Sequence, residues 1–485
     1  MNSLLRSVSM ILSGRIIRLL LMLLFMPILV RLLSQDEYGL FAYLMAIVGI
    51  TTVVAPLGLF DAVRKHIAEH TTGSSEEAGI TIVALLLSSA YALLVAFALL
   101  GINHTLEFVP DRFTVLLIGI ILGNNLFQVC RGVFYGRQRE QIPEIAATIR
   151  QALYVGIGLA AAYYGFGVVG VFTVYVFALV IVAVSLFVLT ASTLNSDVSF
   201  REATSVFATP MGQYGLVQAV GGVAAVLLYK TDIVLVEFFH GSTETALYQA
   251  ALLPAEYVWF VPSAIQMALL QNTANHWAQD EIEEINHNVR NGLIYTSLAL
   301  VLFGVGLFVL AEEFVTVYFG PKYQSSALPL RILLVGTVFF GLNRVFVPVL
   351  QATGWLRYTE ALTVVALLLN VVLNALLIPW YGIVGAAIGT ASSYVFMFVG
   401  GAVLWQYSRF TSLTIREIGQ LCGTFVAFTG TFWILVHTVS LPGLAALFVF
   451  PGIGFGLFVT FVLLFEIATI DELKEIMAAS LRDLR

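Results

Sequence analysis

Charge is what this chain has least of. Aspartate, glutamate, lysine and arginine make up 11% of the 485 residues, against 59% hydrophobic residues, and mean hydropathy is +0.94. A soluble protein of this length needs far more polar surface to cover its cores, so the soluble globular classes are excluded. Cysteine is scarce too. Cys130 and Cys422 both fall in apolar stretches, which leaves neither a disulfide framework nor a cysteine metal site. Long polar segments are missing as well: no gap between apolar runs exceeds about 20 residues, so a soluble catalytic or nucleotide-binding domain has no room. There is no Gly-rich phosphate loop and no H-E-x-x-H pattern, and an ATP-driven pump would need a separate ATPase subunit. No cleavable signal is expected, because the first apolar run is long, holds arginines and lacks a small-residue cleavage site. The net charge of −6 says little, since it comes mostly from short acidic loops such as Asp280–Glu284.

What is present is a series of apolar runs of about twenty residues, the signature of an all-α polytopic membrane protein. About fourteen transmembrane helices are expected, at 9–30, 39–59, 79–101, 114–135, 144–163, 167–191, 212–237, 246–271, 291–311, 327–350, 359–379, 383–406, 418–438 and 443–466. An even number puts both termini on one side. With the N-terminus inside, thirteen Lys and Arg fall in inner segments, and only Arg31, Arg112 and Lys322 in outer ones. That excess places the termini in the cytoplasm of a multi-pass cell (plasma) membrane protein. The same topology leaves the sequon Asn103-His104-Thr105 in an outer loop, compatible with glycosylation.

The chain also repeats itself. Gly136-Arg137-Gln138-Arg139 after span four answers to Gly354-Trp355-Leu356-Arg357 after span ten, and Tyr164-Gly165 before span six answers to Tyr381-Gly382 before span twelve. Tyr38 and Tyr248 form a third pair in the same order. Two related six-helix halves of the same orientation follow, about an axis along the membrane normal. The expected organisation is an N-terminal six-helix lobe over 1–195 and a C-terminal lobe over 196–410. Two additional helices and a cytoplasmic tail occupy 411–485. A transporter built this way binds its substrate near the bilayer centre between the halves.

At this point the residues resemble a family. RLLSQDEYGLFAYL, GRQRE, YKTDIVLVEFFHGSTETALYQAA, FVTVYFGPKYQSSALPLRILL and LLLNVVLNALLIPWYGIVGAAIGTASSY are similar, in order and spacing, to oligosaccharide flippases. These form the polysaccharide-biosynthesis branch of the multidrug/oligosaccharidyl-lipid/polysaccharide (MOP) exporter superfamily. The resemblance spans roughly residues 5–470 and implies two lobes, alternating access and a lipid-linked sugar as cargo.

The arginines sharpen that expectation. Only twelve residues separate Arg18 from Arg31, a reach of roughly 18 Å against a hydrocarbon layer of about 30 Å. Seven basic residues lie within the spans: Arg15, Arg18, Arg131, Arg150, Lys230, Arg331 and Arg344. The clear acidic residues deep in the spans are Asp232 and Glu256. A cation in the membrane must be paired or wet. The surplus points to an anionic cargo, and the forked guanidinium suits phosphate. Arg15 and Arg18, three apart, share a helical face, and the resemblance to lipid II flippases implies a cavity-facing arginine in span one. The competing reading is snorkelling of Arg15 and a carboxylate partner for Arg18. Snorkelling also competes at Arg131 and Arg344, near the cytoplasmic ends of spans four and ten.

The candidate phosphate-binding residues are therefore Arg15, Arg18, Arg131, Lys230 and Arg344. Asp232 and Glu256 are candidates for proton or sodium coupling, or for charge pairing with an arginine. Asn124, Asn125, Gln128, Asn370 and Asn374 are expected to hold helices together. The resulting expectation is a flippase that moves a polyprenyl-phosphate-linked oligosaccharide from the cytoplasmic to the outer leaflet. It needs no cofactor beyond Na+ or H+, works as a monomer among membrane lipids and glycan-assembly enzymes, and has no nucleic-acid partner. Spans thirteen and fourteen carry no Asp, Glu, Lys or Arg from Gly419 to Phe465 and suit a groove for the lipid tail. The rivals are a cation-coupled drug exporter of the same superfamily and a membrane glycosyltransferase. The first would want carboxylates facing its cargo, and the second an acidic site at the membrane surface.

Overall fold

The computed structural model describes residues 2–56, 58–194 and 213–467, with the side chains of 2–13, 15–16 and 213–218 outside that description. The expected lobe boundary at 195 lies outside the described residues, as do Arg201 and the C-terminal tail with Lys474, Arg482 and Arg485. All regular elements among the described residues are helices. The chain divides into two compact units, Met1–Ala246 and Leu247–Arg485.

The first unit holds α1 (Asn2–Leu32), α2 (Gln35–Val54), α3 (Leu59–Ala68), α4 (Ser75–Leu106), α5 (Asp111–Gly136), α6 (Gln141–Tyr163), α7 (Gly167–Ala191) and α8 (Gln213–His240), and reaches into α9 (Ser242–Tyr257). The second holds the rest of α9, then α10 (Phe260–Ala278), α11 (Ile282–Val309), α12 (Ala311–Tyr318), α13 (Ala327–Leu350), α14 (Leu356–Gln406), α15 (Ile415–Thr438) and α16 (Gly443–Leu464). The expected spans fall on these helices, with ends displaced by a turn or two. Ten helical stretches among the described residues are long and apolar enough, taken singly, to cross a membrane. One of them, Pro321–Gln406, runs 86 residues through non-helical backbone at Thr353, Gly354 and Gly382.

Local chemistry sets the helix ends. Ser34 and Glu37 form a reciprocal capping box at α2, and Thr414 and Glu417 form another at α15. Gly165, between α6 and α7, and Gly382, inside α14, both have left-handed backbone, with φ of 82° and 54°. Glycine reaches that region without the clash a Cβ would bring. The two turns stand 217 residues apart and carry the same Tyr-Gly pair.

Two expectations are corrected. Span eight is not one helix but breaks between α9 and α10 at Val258 and Trp259. Pro262 lacks the N–H that would bond the Val258 carbonyl, and its ring crowds that oxygen. The Asn103 sequon, in turn, is not available to a glycan. Asn103 is buried, 6% exposed, and its amide donates to the Val109 carbonyl at 2.9 Å and to Thr114 Oγ1 at 3.1 Å. Its carbonyl oxygen accepts the Val109 N–H at 2.8 Å, so the side chain folds the loop that leads into α5.

The first-unit asparagines hold helices together, whereas the second-unit pair bonds within α14 and Gln128 Oε1 is buried with no hydrogen-bond partner among the described residues. Asn125 donates to the Ser88 carbonyl of α4 at 3.0 Å, and Asn124 to the Thr52 carbonyl of α2 at 3.2 Å. In the second unit Asn374 donates to Asn370 Oδ1 at 3.0 Å, and Asn370 donates to Thr390 Oγ1 at 3.3 Å. α11 contains a π-helical stretch, Leu300–Val305. It lines an apolar cavity of about 640 Å³ together with Leu334 and Val338 of α13 and Leu421 and Phe425 of α15.

Candidate functional site

The first unit gathers two of the sequence-predicted arginines on one carboxylate. Arg18, midway along α1, donates through Nη2 to Glu144 Oε2 at 2.8 Å. Its Nη1 donates to Thr148 Oγ1 at 3.0 Å and to the Glu144 carbonyl at 3.3 Å. Arg131, near the end of α5, donates through Nη2 to Glu144 Oε1 at 3.0 Å. Tyr135, one turn further along α5, donates its hydroxyl to the same oxygen at 2.7 Å. The Arg131 guanidinium also stacks on two rings, 4.9 Å from the Phe60 centroid and 5.1 Å from Tyr135.

The exposures assign the roles. Glu144 is 3% exposed, whereas Arg18 and Arg131 keep 21% and 26% of their side chains open. A carboxylate on the inside therefore fixes two guanidiniums whose outer edges stay accessible. Arg18 Nε and Arg131 Nε and Nη1 make no hydrogen bond among the described residues, which leaves donors for an incoming anion. Depth follows from helix geometry. Arg131 lies five residues before the end of α5 and Glu144 three residues after the start of α6, about 8 and 5 Å along their helices from the intervening turn.

The other predicted residues lie elsewhere. The side chain of Arg15 is outside the described residues. In the first unit, Lys230 on α8 lays its stem beside Gly49 of α2, where an added Cβ would stand 3.6 Å from Lys230 Cγ. Asp232 is fully buried and accepts the Ile233 N–H at 2.8 Å. In the second unit, half-buried Glu256 ends α9 beside the break, its carbonyl accepting the Trp259 N–H at 3.1 Å. Arg344 on α13 donates through Nη1 to Gln266 Oε1 of α10 at 2.6 Å and sits 5.1 and 4.9 Å from the Trp259 and Phe340 rings. Its Nε is buried without a hydrogen-bond partner among the described residues. Of the remaining span arginines, Arg150 lies over the Phe127 ring at 5.3 Å and Arg331 donates to the Phe308 carbonyl at 3.2 Å.

Sequence reasoning missed Glu144, Tyr135 and Thr148. A signal was present: Arg131 and Glu144 flank a tight turn at similar distances, so antiparallel helices would bring them level.

A second ion pair makes the contrast plain. Arg137, just past α5, bonds Glu77 of α4 through Nε, and both side chains are 1% exposed. Glu77 also accepts the Gly73 N–H, while Arg137 Nη1 donates to Thr193 Oγ1 at 2.6 Å. This pair is sealed, and the Glu144 pair is open.

Comparisons with known proteins agree with this architecture. The family described as polysaccharide biosynthesis protein matches residues 28–328, and the lipid II flippase MurJ family matches residues 216–453. Among curated relatives, the "Probable low-salt glycan biosynthesis flippase Agl15" of Haloferax volcanii is 24% identical over 90% of each chain. The "Probable flippase AglR" of the same organism is 22% identical over 84% of this chain and 83% of its own. Among solved structures, the lipid II flippase MurJ in an inward closed conformation superposes with a TM-score of 0.75 at 14% identity, covering 94% of this chain and 98% of that one. An inward-facing multidrug resistance MATE family transporter of the MOP superfamily superposes with a TM-score of 0.64 at 16% identity, over 80% and 94%. With its family match running across more than half of its length, the chain belongs to the polysaccharide biosynthesis protein family.

Proposed function

We propose that this protein is a flippase that carries a polyprenyl-phosphate-linked oligosaccharide from the cytoplasmic to the outer leaflet by alternating access. It is a transporter, not an enzyme. The observation that carries the reading is the pair of partly exposed guanidiniums, Arg18 and Arg131, held on one buried carboxylate. Such groups are expensive in a membrane unless they serve an anion, and their free N–H edges match phosphate oxygens. The curated relatives named as flippases, aligned along most of their length, support the same cargo class.

The apolar cavity against α11, α13 and α15 supports a place for the lipid tail, with the first of the two additional helices, α15, as one wall. We place fourteen spans with both termini in the cytoplasm, on the excess of basic residues in the inner segments. The membrane potential gives the direction. An inside-negative potential favours outward movement of a phosphate by about 2.3 kcal/mol per charge per 100 mV. Coupling to Na+ or H+ through Asp232 or Glu256 is an additional proposal, and transport indifferent to both pH and sodium discards it.

The experiment is flipping of a fluorescent polyprenyl-phosphate sugar in proteoliposomes. Arg18→Ala is expected to abolish it and Arg331→Ala to spare it. Wild-type flipping by Arg18→Ala overturns the cargo assignment. The superposition on a multidrug transporter motivates the second reading, a drug exporter, which predicts loss of cation export from carboxylate variants and none from Arg18→Ala.

A further inference from the structure

The arginine site contains its own anion. Glu144 offers one oxygen to Arg18 and the other to Arg131 and Tyr135, and the cluster of two guanidiniums and one carboxylate keeps a single net positive charge. At 3% exposure the carboxylate is behind the guanidiniums rather than beside an arriving ligand. It is tied in by three side-chain donors from α1 and α5, so it stays when a second anion arrives.

We propose that Glu144 sets the affinity of this site: its fixed negative charge holds down the grip of Arg18 and Arg131 on a phosphate, so that the cargo is released. The inference rests on the phosphate-binding reading above and goes beyond it by naming the residue that governs release. A carrier, like a channel, must bind its cargo firmly enough to admit it and weakly enough to let it leave. Two bare guanidiniums in a poorly hydrated site would retain a phosphate ester, because Coulomb attraction there is several times stronger than in water. A carboxylate already bonded to both cations subtracts from that attraction without blocking their outer edges. Even at the effective dielectric of a wet site, removing a unit charge a few ångströms away changes anion affinity by at least tenfold. A carboxylate that only tied α1, α5 and α6 together would act otherwise: its loss would lower stability and disorder the arginines, and binding would weaken.

The test compares the wild-type full chain with Glu144→Gln in nanodiscs, with farnesyl phosphate as probe and calorimetry for binding. Glutamine keeps the shape and one hydrogen-bonding oxygen and removes the charge. The expected result is at least tenfold tighter binding by E144Q. Flipping of a fluorescent isoprenyl phosphate in proteoliposomes should show KM and maximal rate falling together, as release becomes limiting. Unchanged or weaker binding by E144Q, in a protein whose wild type binds the probe through Arg18, overturns the proposal and leaves the phosphate site standing. Equal binding by wild type and Arg18→Ala removes the phosphate reading itself, and the proposal with it. If E144Q does not fold, Glu144→Asp, which draws the charge back by one methylene, is read instead. Intermediate tightening supports the inference, and unchanged or weaker binding refutes it.

Discussion

Truncating Arg137 to alanine should damage the fold far more than truncating Arg18, although both residues are paired to a glutamate. Arg137 and Glu77 are each 1% exposed, so Arg137→Ala leaves the Glu77 carboxylate buried with the Gly73 N–H as its remaining hydrogen-bond donor among the described residues. Stranding one member of a buried pair costs about 3–5 kcal/mol, a factor of roughly a hundred to a few thousand in the folding equilibrium. The Thr193 hydroxyl also loses its donor. Arg18 is 21% exposed, and Glu144 keeps Arg131 and Tyr135 when Arg18 is removed, so about 1 kcal/mol or less is expected there. The assay is unfolding of purified protein by SDS titration in mixed micelles. Replacing both Glu77 and Arg137 with leucine and methionine should restore much of the loss, since an apolar pair of similar volume avoids the desolvation penalty. Equal losses for Arg137→Ala and Arg18→Ala would refute the distinction between a sealed structural pair and an open functional one.

Asn103→Ala should lower stability by about 1–3 kcal/mol, by leaving the Val109 backbone groups and Thr114 without their buried partner, and mass spectrometry should find no glycan on Asn103 in the folded protein. Gly382→Val should cost about 1–3 kcal/mol through its left-handed backbone, and Gly165→Val a similar amount, both measurable by the same titration. Cys422 lines the apolar cavity and is exposed, whereas Cys130 is buried; N-ethylmaleimide should label Cys422 alone, and a long-chain polyprenyl phosphate should slow that labelling if the cavity holds the tail.

The helices were legible because bilayer spans announce themselves by length and apolarity, signals that survive without any tertiary contact. The break in span eight was missed although Pro262 was in view, because hydropathy averages over a proline that changes backbone geometry and not polarity. Asn103 was misread for a related reason: a triplet pattern reports which residues are adjacent and not whether the amide is already used by Val109 and Thr114. The arginines stood out as charges in oil. Their partner did not, because Glu144 is at a span boundary where an acid is unremarkable, and only the packing of α1 on α6 brings Arg18, 126 residues away, within reach of it.

The π-helical stretch in α11 has a consequence for how such chains diversify. A widened turn arises from one surplus residue in a regular helix and absorbs it locally, so the helix beyond keeps its facing. Deleting one residue among Leu300–Val305 would close the widened turn and change which of its own side chains face the apolar cavity, while the rest of the helix keeps its place. In a wall of this kind, a single-codon deletion is a direct route to reshaping the cavity.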